Sequence, residues 1–298
     1  QSDAYCQRLK EEGRETWIRE KTGLQLDPYF SASKIRFLLD RHGLQERAER
    51  GELCFGTIDS WLVWKMSNGK KHITDVSNAS RTMLMNLETL DYDEELLALW
   101  NIPRCLLPKI VDTSGMLAVC ETVFASAIPI TAVVGDQQAA LFGQTCFDGG
   151  DVKNTYGTGC FLLMNTKDRI IRSKHGLVTC VGWRIQGVCD YVLEGSVFVA
   201  GAAVQWLRDG LHLITTSAES EERARLVESS DGVIVVPAFT GLGAPYWKPQ
   251  VKGAMFGLTR GTRQEHIIRA TLESLAYQSC DVITAMEEDA GMKIHHLQ

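Results

Sequence analysis

The stretch Ile130-Thr-Ala-Val-Val-Gly-Asp-Gln-Gln138 decides the fold class, together with the glycine-rich stretch Asn154-Thr-Tyr-Gly-Thr-Gly-Cys-Phe161. The apolar run at 130–134 is typical of a strand buried on both faces of a parallel or mixed sheet. It places Asp136 at the carboxyl end of a strand, where α/β folds bind ligands. The glycines of the second stretch let backbone amides approach a phosphate. An acid near such a turn predicts an α/β enzyme that transfers a phosphoryl group.

Asp136, Thr158 and Gly201 each also have a purely structural interpretation. Asp136 can be the N-cap of the helix predicted at 136–144, and the spacing alone favours the cap. The turn around Thr158 can be an ordinary hairpin. Gly201 can serve close helix packing, which is the more frequent explanation, or it can leave room for a nucleotide.

Two side chains outside this region keep two interpretations each. Tyr29 follows Asp27-Pro28 and can either pack in a core or offer its hydroxyl to a substrate. Arg81 can be a solvated surface cation or can face an anion. The residue pattern alone leaves both alternatives open.

The remaining sequence alternates between predicted helices and strands. A strand is predicted at 52–57, and closely spaced strands with glycine turns predict antiparallel hairpins. Those strands lie at 151–156, 160–165, 177–182 and 188–193, followed by a strand at 233–236. Helices are predicted at 197–209, 217–228 and 264–289.

Bulk composition excludes several classes of protein. The chain has 298 residues, 45% of them hydrophobic, which is enough for two domains with buried cores. Its net charge of -6 argues against nucleic-acid binding through bulk positive charge. No apolar run is long enough for a membrane span. The nine cysteines form no Cys-x-x-Cys pair, which predicts free thiols in a reducing cytoplasm and neither disulfides nor a zinc site.

Several long motifs occur along the chain: Asp27-Pro-Tyr-Phe-Ser31, Phe55-Gly-Thr-Ile-Asp-Ser-Trp61, Asn78-Ala-Ser-Arg-Thr-Met-Leu84, Gly135-Asp-Gln-Gln-Ala-Ala-Leu-Phe-Gly143, Lys153-Asn-Thr-Tyr-Gly-Thr-Gly-Cys-Phe161 and Pro237-Ala-Phe-Thr-Gly-Leu-Gly-Ala-Pro-Tyr-Trp247. These motifs resemble those of the glycerol kinases, within the FGGY family of carbohydrate kinases. The resemblance covers essentially the whole chain. It implies an α/β, actin/hexokinase/Hsp70-like ATPase fold of the ribonuclease-H-like type, with two domains flanking a cleft. We expect residues 1–147 on the glycerol side and 148–298 on the nucleotide side.

The resemblance also implies a reaction and its residues. The reaction is ATP-dependent phosphorylation of glycerol to sn-glycerol 3-phosphate with Mg²⁺, in a cytoplasmic enzyme that forms a dimer or tetramer. Asp136 is implied as the general base. The implied glycerol contacts are Tyr29, Asp136, Gln137 and Phe161, and the implied nucleotide contacts are Thr158, Gly201 and Gln205. No metal ligand is predicted.

The chain departs from the family pattern in three segments, in one loop and at Phe37, which stands where the pattern expects Trp. An amino-terminal phosphate loop, an Arg-Glu pair for glycerol and an adenosine loop are expected beyond the two ends, so we expect this polypeptide alone to be inactive or very weak. The loop Glu121–Pro129 has neither Gly nor Arg. Because some bacterial relatives use such residues there to bind fructose 1,6-bisphosphate, we expect no inhibition by that sugar.

Two alternatives to a glycerol kinase stay open. One is another FGGY kinase that acts on a pentulose or a sugar acid, and the other is an actin-like module that binds a nucleotide without turnover.

Overall fold

Helices and strands alternate along the chain in the computed structural model, which describes residues 2–298. The helices are α1 Asp3–Glu11, α2 Glu15–Thr22, α3 Ser31–His42, α4 Gln45–Glu49, α5 Ile58–Met66, α6 Val76–Ala79, α7 Glu94–Trp100, α8 Asp136–Gly143, α9 Gly201–Gln205, α10 Glu219–Ala224 and α11 Gln264–Ala290. The strands are β1 Ile73–Asp75, β2 Met85–Asn86, β3 Asp91–Tyr92, β4 Lys109–Val111, β5 Ser114–Cys120, β6 Ile128–Ala132, β7 Asp151–Tyr156, β8 Cys160–Lys167, β9 Val178–Ile185, β10 Val188–Val197, β11 Ile234–Val236, β12 Ala254–Phe256 and β13 His296–Leu297. This order is that of an α/β protein, as predicted.

The chain divides into two compact units that are discontinuous in sequence. The first unit contains the residues up to Gly149 with 165–173 and 178–193. The second contains 150–164, 174–177 and 194–298. Strands β8 and β10 therefore contribute residues to both units.

The first unit contains the strand order β10-β9-β5-β6 and a separate parallel pair, β1 and β4. Strand β5 is antiparallel to β6 and parallel to β9. One part of its core packs α6 against β2 and β9 through Val76, Ala79, Met85 and Val181. Burying such side chains contributes roughly 1.5–3 kcal/mol for each large one.

The second unit contains the strand order β13-β7-β8-β10. Strands β7 and β8 form the predicted antiparallel hairpin, in which Tyr156 pairs with Cys160. Helix α11 packs against α9, α10 and β11, and Ile268 lies in the core beside Leu207. A left-handed Gly291 ends this helix, as glycine commonly does.

The prediction of a buried strand at 130–134 was wrong in position and in burial. The strand runs from Ile128 to Ala132, and Ile128 is 41% exposed. Strand β6 ends the strand order of its unit and pairs only with β5 among the described residues. An edge strand has one open side, so an apolar pattern there does not guarantee burial.

The prediction of a strand at 52–57 was also wrong, because the described chain has no strand there. The Phe55 N–H donates to Leu106 O at 2.7 Å, and Phe55 O lies 2.6 Å from His72 Nε2. The backbone groups of Phe55 are thus satisfied by a turn and a side chain, which removes the need for a strand partner. Among residues 2–298, no helix is both long and apolar enough to cross a membrane.

Candidate active site

Asp136 is the first residue of α8 and its carboxylate is exposed. The N-cap is Gly135, so the interpretation of Asp136 as the cap was wrong. The carboxylate is therefore not used to bond the helix backbone, and it benefits from the positive end of the helix dipole. Gln137 Nε2 donates to Asp136 Oδ2 at 3.2 Å. The two predicted substrate contacts thus lie side by side.

A buried carboxylate, Asp75, fixes the backbone from which α8 starts. Asp75 accepts hydrogen bonds from Asn78 N at 2.9 Å and from Thr113 Oγ1 at 2.7 Å. The Ser77 hydroxyl donates to Asp75 and accepts the Gly135 N–H at 2.8 Å. Because Asp75 is fully buried, each of these charge-assisted bonds acts away from water.

Asp75 and Ser77 were not predicted from the sequence. The available signal was Thr74-Asp-Val-Ser-Asn78, in which an Asp precedes a short polar segment as an N-cap does. Its link to Gly135 could not be found in this way, since the two segments are far apart in sequence.

Asp136 lines a cavity of ≈ 670 Å³ within the first unit. The volume lies in the usual range for small-molecule sites. One set of lining residues is apolar and includes Ile35, Leu38, Phe55, Ile58 and Leu62. The polar lining residues are Ser31, Lys34, Thr57, Asp59, Asn78 and Asp136. This mixture suits a small ligand that carries both carbon and hydroxyl groups.

Burial shifts the pKa of two charged groups in this cavity. Desolvation raises the pKa of Asp59, and this effect is larger than the lowering of the pKa by its hydrogen bonds. Thr74 Oγ1 donates to Asp59 Oδ2 at 2.7 Å, while the buried Asp59 Oδ1 has no hydrogen-bond partner among residues 2–298. Desolvation also lowers the pKa of Lys34, whose Nζ donates to Tyr29 O. Groups with perturbed pKa values in a cavity are typical of functional sites.

Tyr29 lies just before α3 in the same unit. Its ring is 44% exposed and packs edge-on against the ring of Phe30, with centroids 5.3 Å apart. The Tyr29 N–H donates to Asp27 Oδ1 at 2.8 Å. Tyr29 is thus not a core residue.

The second unit brings two of the predicted nucleotide contacts together. Thr158 lies at the exposed tip of the β7–β8 hairpin, and its carbonyl accepts the Ala200 N–H at 2.8 Å. The Gly201 N–H donates to Gly157 O at 2.9 Å. A Cβ at Gly201 would lie 2.6 Å from Gly157 O, so only glycine allows this approach. The packing interpretation of Gly201 therefore holds, and it also shapes the hairpin tip.

Gln205 and Phe161 belong to the same unit. Gln205 is exposed at the end of α9, on the same face as Gly201 because helical residues four apart are neighbours. Phe161 is half-buried on β8, and its carbonyl accepts from Lys153 Nζ at 3.1 Å. The four predicted residues of the second unit thus lie on the hairpin, the adjoining strand and α9.

Comparison with known proteins identifies the family. Residues 1–143 match the N-terminal domain of the FGGY family of carbohydrate kinases, and residues 152–297 match its C-terminal domain. The chain belongs to the FGGY family of carbohydrate kinases. The resemblance seen in the motifs is thereby confirmed.

FGGY relatives match this chain along its whole length. It is 58% identical to a glycerol kinase of Bacillus licheniformis and 57% identical to one of Listeria welshimeri, over 303 residues in each case. Each alignment covers 100% of this chain and 61% of the relative. The chain therefore spans about three-fifths of the length of these curated relatives.

Solved structures of FGGY kinases show the same fold. The Plasmodium falciparum glycerol kinase with ADP is similar at a TM-score of 0.90 and 35% identity, over 100% of this chain and 60% of that one. A ligand-bound xylulose kinase from Lactobacillus acidophilus has a TM-score of 0.85 at 21% identity, over 99% of this chain and 60% of that one. The second likeness shows the fold alone. The predicted actin/hexokinase/Hsp70-like ATPase fold is confirmed.

Proposed function

We propose that the protein containing this chain transfers the γ-phosphoryl group of ATP to glycerol and forms sn-glycerol 3-phosphate. The observation that carries this proposal is the position of Asp136, whose exposed carboxylate lines a partly polar cavity. Relatives named glycerol kinase at 56–58% identity support the choice of substrate.

Asp136 acts in this proposal as the general base. The hydroxyl oxygen of glycerol forms a bond to the γ-phosphorus while the bond from that phosphorus to the β–γ bridging oxygen breaks. The hydroxyl proton passes to the Asp136 carboxylate, and ADP leaves with the electron pair of the broken bond. Because such transition states are loose, the carboxylate needs mainly to orient the hydroxyl and accept its proton late.

The other predicted contacts complete the assignment of substrates. Tyr29, Gln137 and Phe161 bind glycerol: the amide reaches its hydroxyls, and Phe161 covers its carbon atoms. Thr158, Gly201 and Gln205 bind the nucleotide, and the ADP named with the Plasmodium structure supports the use of adenine nucleotides.

The residues of this chain fit a Mg²⁺ ion that enters with the nucleotide. Residues 2–298 contain no group of three or more His, Cys, Asp or Glu side chains placed to hold a metal. Protein sites for Mg²⁺ in kinases commonly offer one or two carboxylates and leave the other positions to phosphates and water. Asp136 is the exposed carboxylate that could serve, and the ion would offset phosphate charge.

Three predictions from the resemblance stay predictions. They are the glycerol side at 1–147 with the nucleotide side at 148–298, a homo-oligomer, and a cytoplasmic location.

Kinetics of the open reading frame that contains this chain test the proposal. We expect glycerol-dependent ADP release and a loss of about 100-fold or more in kcat for Asp136→Asn, because general-base catalysis is commonly worth roughly 10²–10⁴-fold. Asp231→Asn, an exposed turn residue of the second unit, serves as the matched control and should keep wild-type turnover. Near-normal turnover by Asp136→Asn would remove the base assignment.

A substrate panel and binding measurements separate this proposal from the alternatives. Faster phosphorylation of xylulose or gluconate than of glycerol would indicate another FGGY kinase. Calorimetry that detects ATP binding without any turnover on these substrates would indicate a nucleotide-binding module.

A further inference from the structure

Arg81 is a charged side chain that contacts the Tyr29 ring and has no role in the proposed reaction. Its Cζ lies 5.7 Å from the centroid of the Tyr29 ring and 5.2 Å from that of Phe30. Both distances are within the range of cation–π contacts. The guanidinium therefore lies against two adjacent rings, one exposed and one buried.

Two hydrogen bonds of Arg81 and one of its neighbour Thr82 fix the position of Arg81. Its NH1 donates to the sulfur of the buried Cys180 at 3.0 Å. Its own N–H donates to Asn78 O at 3.0 Å in the turn after α6. The next residue, Thr82, accepts the Ala32 N–H at 2.9 Å and thereby joins this turn to the start of α3. Arg81 is thus an immobilised cation and not a solvated surface charge.

Lys34 is a second cation near the Tyr29 ring, with its Nζ 6.0 Å from the ring centroid and donating to Tyr29 O. The ring is 44% exposed, whereas Phe30 is only 2% exposed. A ring in that situation explores several rotamers unless a partner restrains it. A planar guanidinium against the ring supplies such restraint, and an ammonium group does so less well because it is a compact point charge.

We propose that Arg81 is a positioning residue that holds the Tyr29 ring in the orientation that binds glycerol. This inference rests on the proposed function, because it assigns Tyr29 to the substrate. It gives the motif Asn78-Ala-Ser-Arg-Thr-Met83 a role that sequence analysis left open. The effect passes through Tyr29, so Arg81 need not touch the substrate.

The test is a double-mutant cycle in the open reading frame that contains this chain. Arg81→Met keeps the aliphatic stem and removes the charge. We expect it to raise the glycerol KM about two- to five-fold, the range that corresponds to one exposed cation–π contact, and to leave the ATP KM unchanged. Arg81→Lys should give a smaller rise. In a Tyr29→Leu background, Arg81→Met should change the glycerol KM no further.

Arg104→Met is the matched control. Arg104 Cζ lies 5.8 Å from the ring centroid of Tyr92, which is outside the cavity, so this variant loses the same kind of contact elsewhere. Its glycerol KM should equal that of the wild type even if its melting temperature falls.

The outcomes separate this inference from the proposed function. An unchanged glycerol KM, an equal rise in the ATP KM, or full additivity with Tyr29→Leu would overturn the role of Arg81. A wild-type protein without glycerol-dependent turnover would overturn the proposed function instead. If Arg81→Met does not fold, the same cycle with Arg81→Lys decides the question.

Discussion

Replacing Gly201 by alanine tests how closely α9 approaches the β7–β8 hairpin. The new Cβ would lie 2.6 Å from Gly157 O, whereas ordinary van der Waals contact begins at 3.4 Å. The backbone must therefore separate by the difference, about 0.8 Å, and overpacking of this kind costs roughly 1–3 kcal/mol. Alanine returns about 0.5–1 kcal/mol through its higher helix propensity. We expect a net loss of about 1–2 kcal/mol in the free energy of unfolding.

Urea denaturation followed by circular dichroism measures this loss, and hydrogen exchange locates it. The N–H groups of Ala200 and Ala202, which donate to Thr158 O at 2.8 and 3.2 Å, should exchange faster in the variant. Gly143→Ala is the control. It ends α8, and no described atom lies within 4 Å of its added Cβ, so it should be neutral or slightly stabilising. A midpoint for Gly201→Ala at or above that of the wild type would refute the reasoning.

Two further predictions concern ionisable groups. Burial raises the pKa of Asp59, so its contribution to stability is complete below the pKa of the unfolded chain and is lost as pH rises through the folded pKa. Asp59→Asn keeps an acceptor for Thr74 and should therefore raise the free energy of unfolding in urea at pH 7.5. This gain in stability should shrink toward pH 4.5, and a gain independent of pH would contradict the reasoning. Burial also raises the pKa of the Cys160 thiol to about 11, so its thiolate fraction at pH 7 is roughly 100-fold below that of an ordinary thiol. Iodoacetamide should label the exposed Cys54, Cys105 and Cys280 first and should label Cys160 only after unfolding, as measured by peptide mass spectrometry.

Local patterns were enough to predict several elements of this fold. The hairpin at β7 and β8 and the helix α8 were predicted within a few residues, because glycine turns and alternating apolar residues act over short distances in sequence. The long helix α11 was also predicted, because its apolar residues recur at helical spacing. The family motifs then supplied the fold that joins these elements.

The errors arose where a pattern depended on distant partners. The prediction of a strand at 52–57 was wrong because the backbone of Phe55 hydrogen-bonds to Leu106 and to the His72 ring. The burial of β6 was overestimated because its neighbours in the sheet, and not its own composition, decide how much of it is covered.

The sequence by itself determined the α/β class, the family and the choice of Asp136, since these depend on residue types at short spacing. Only the tertiary structure decided which groups support that carboxylate. Asp75 and Ser77 reach Gly135 across the fold, and Arg81 meets Tyr29 through the turn after α6. The physical reason is that hydrogen bonds and cation–π contacts act over a few ångströms in space, whatever the distance along the chain.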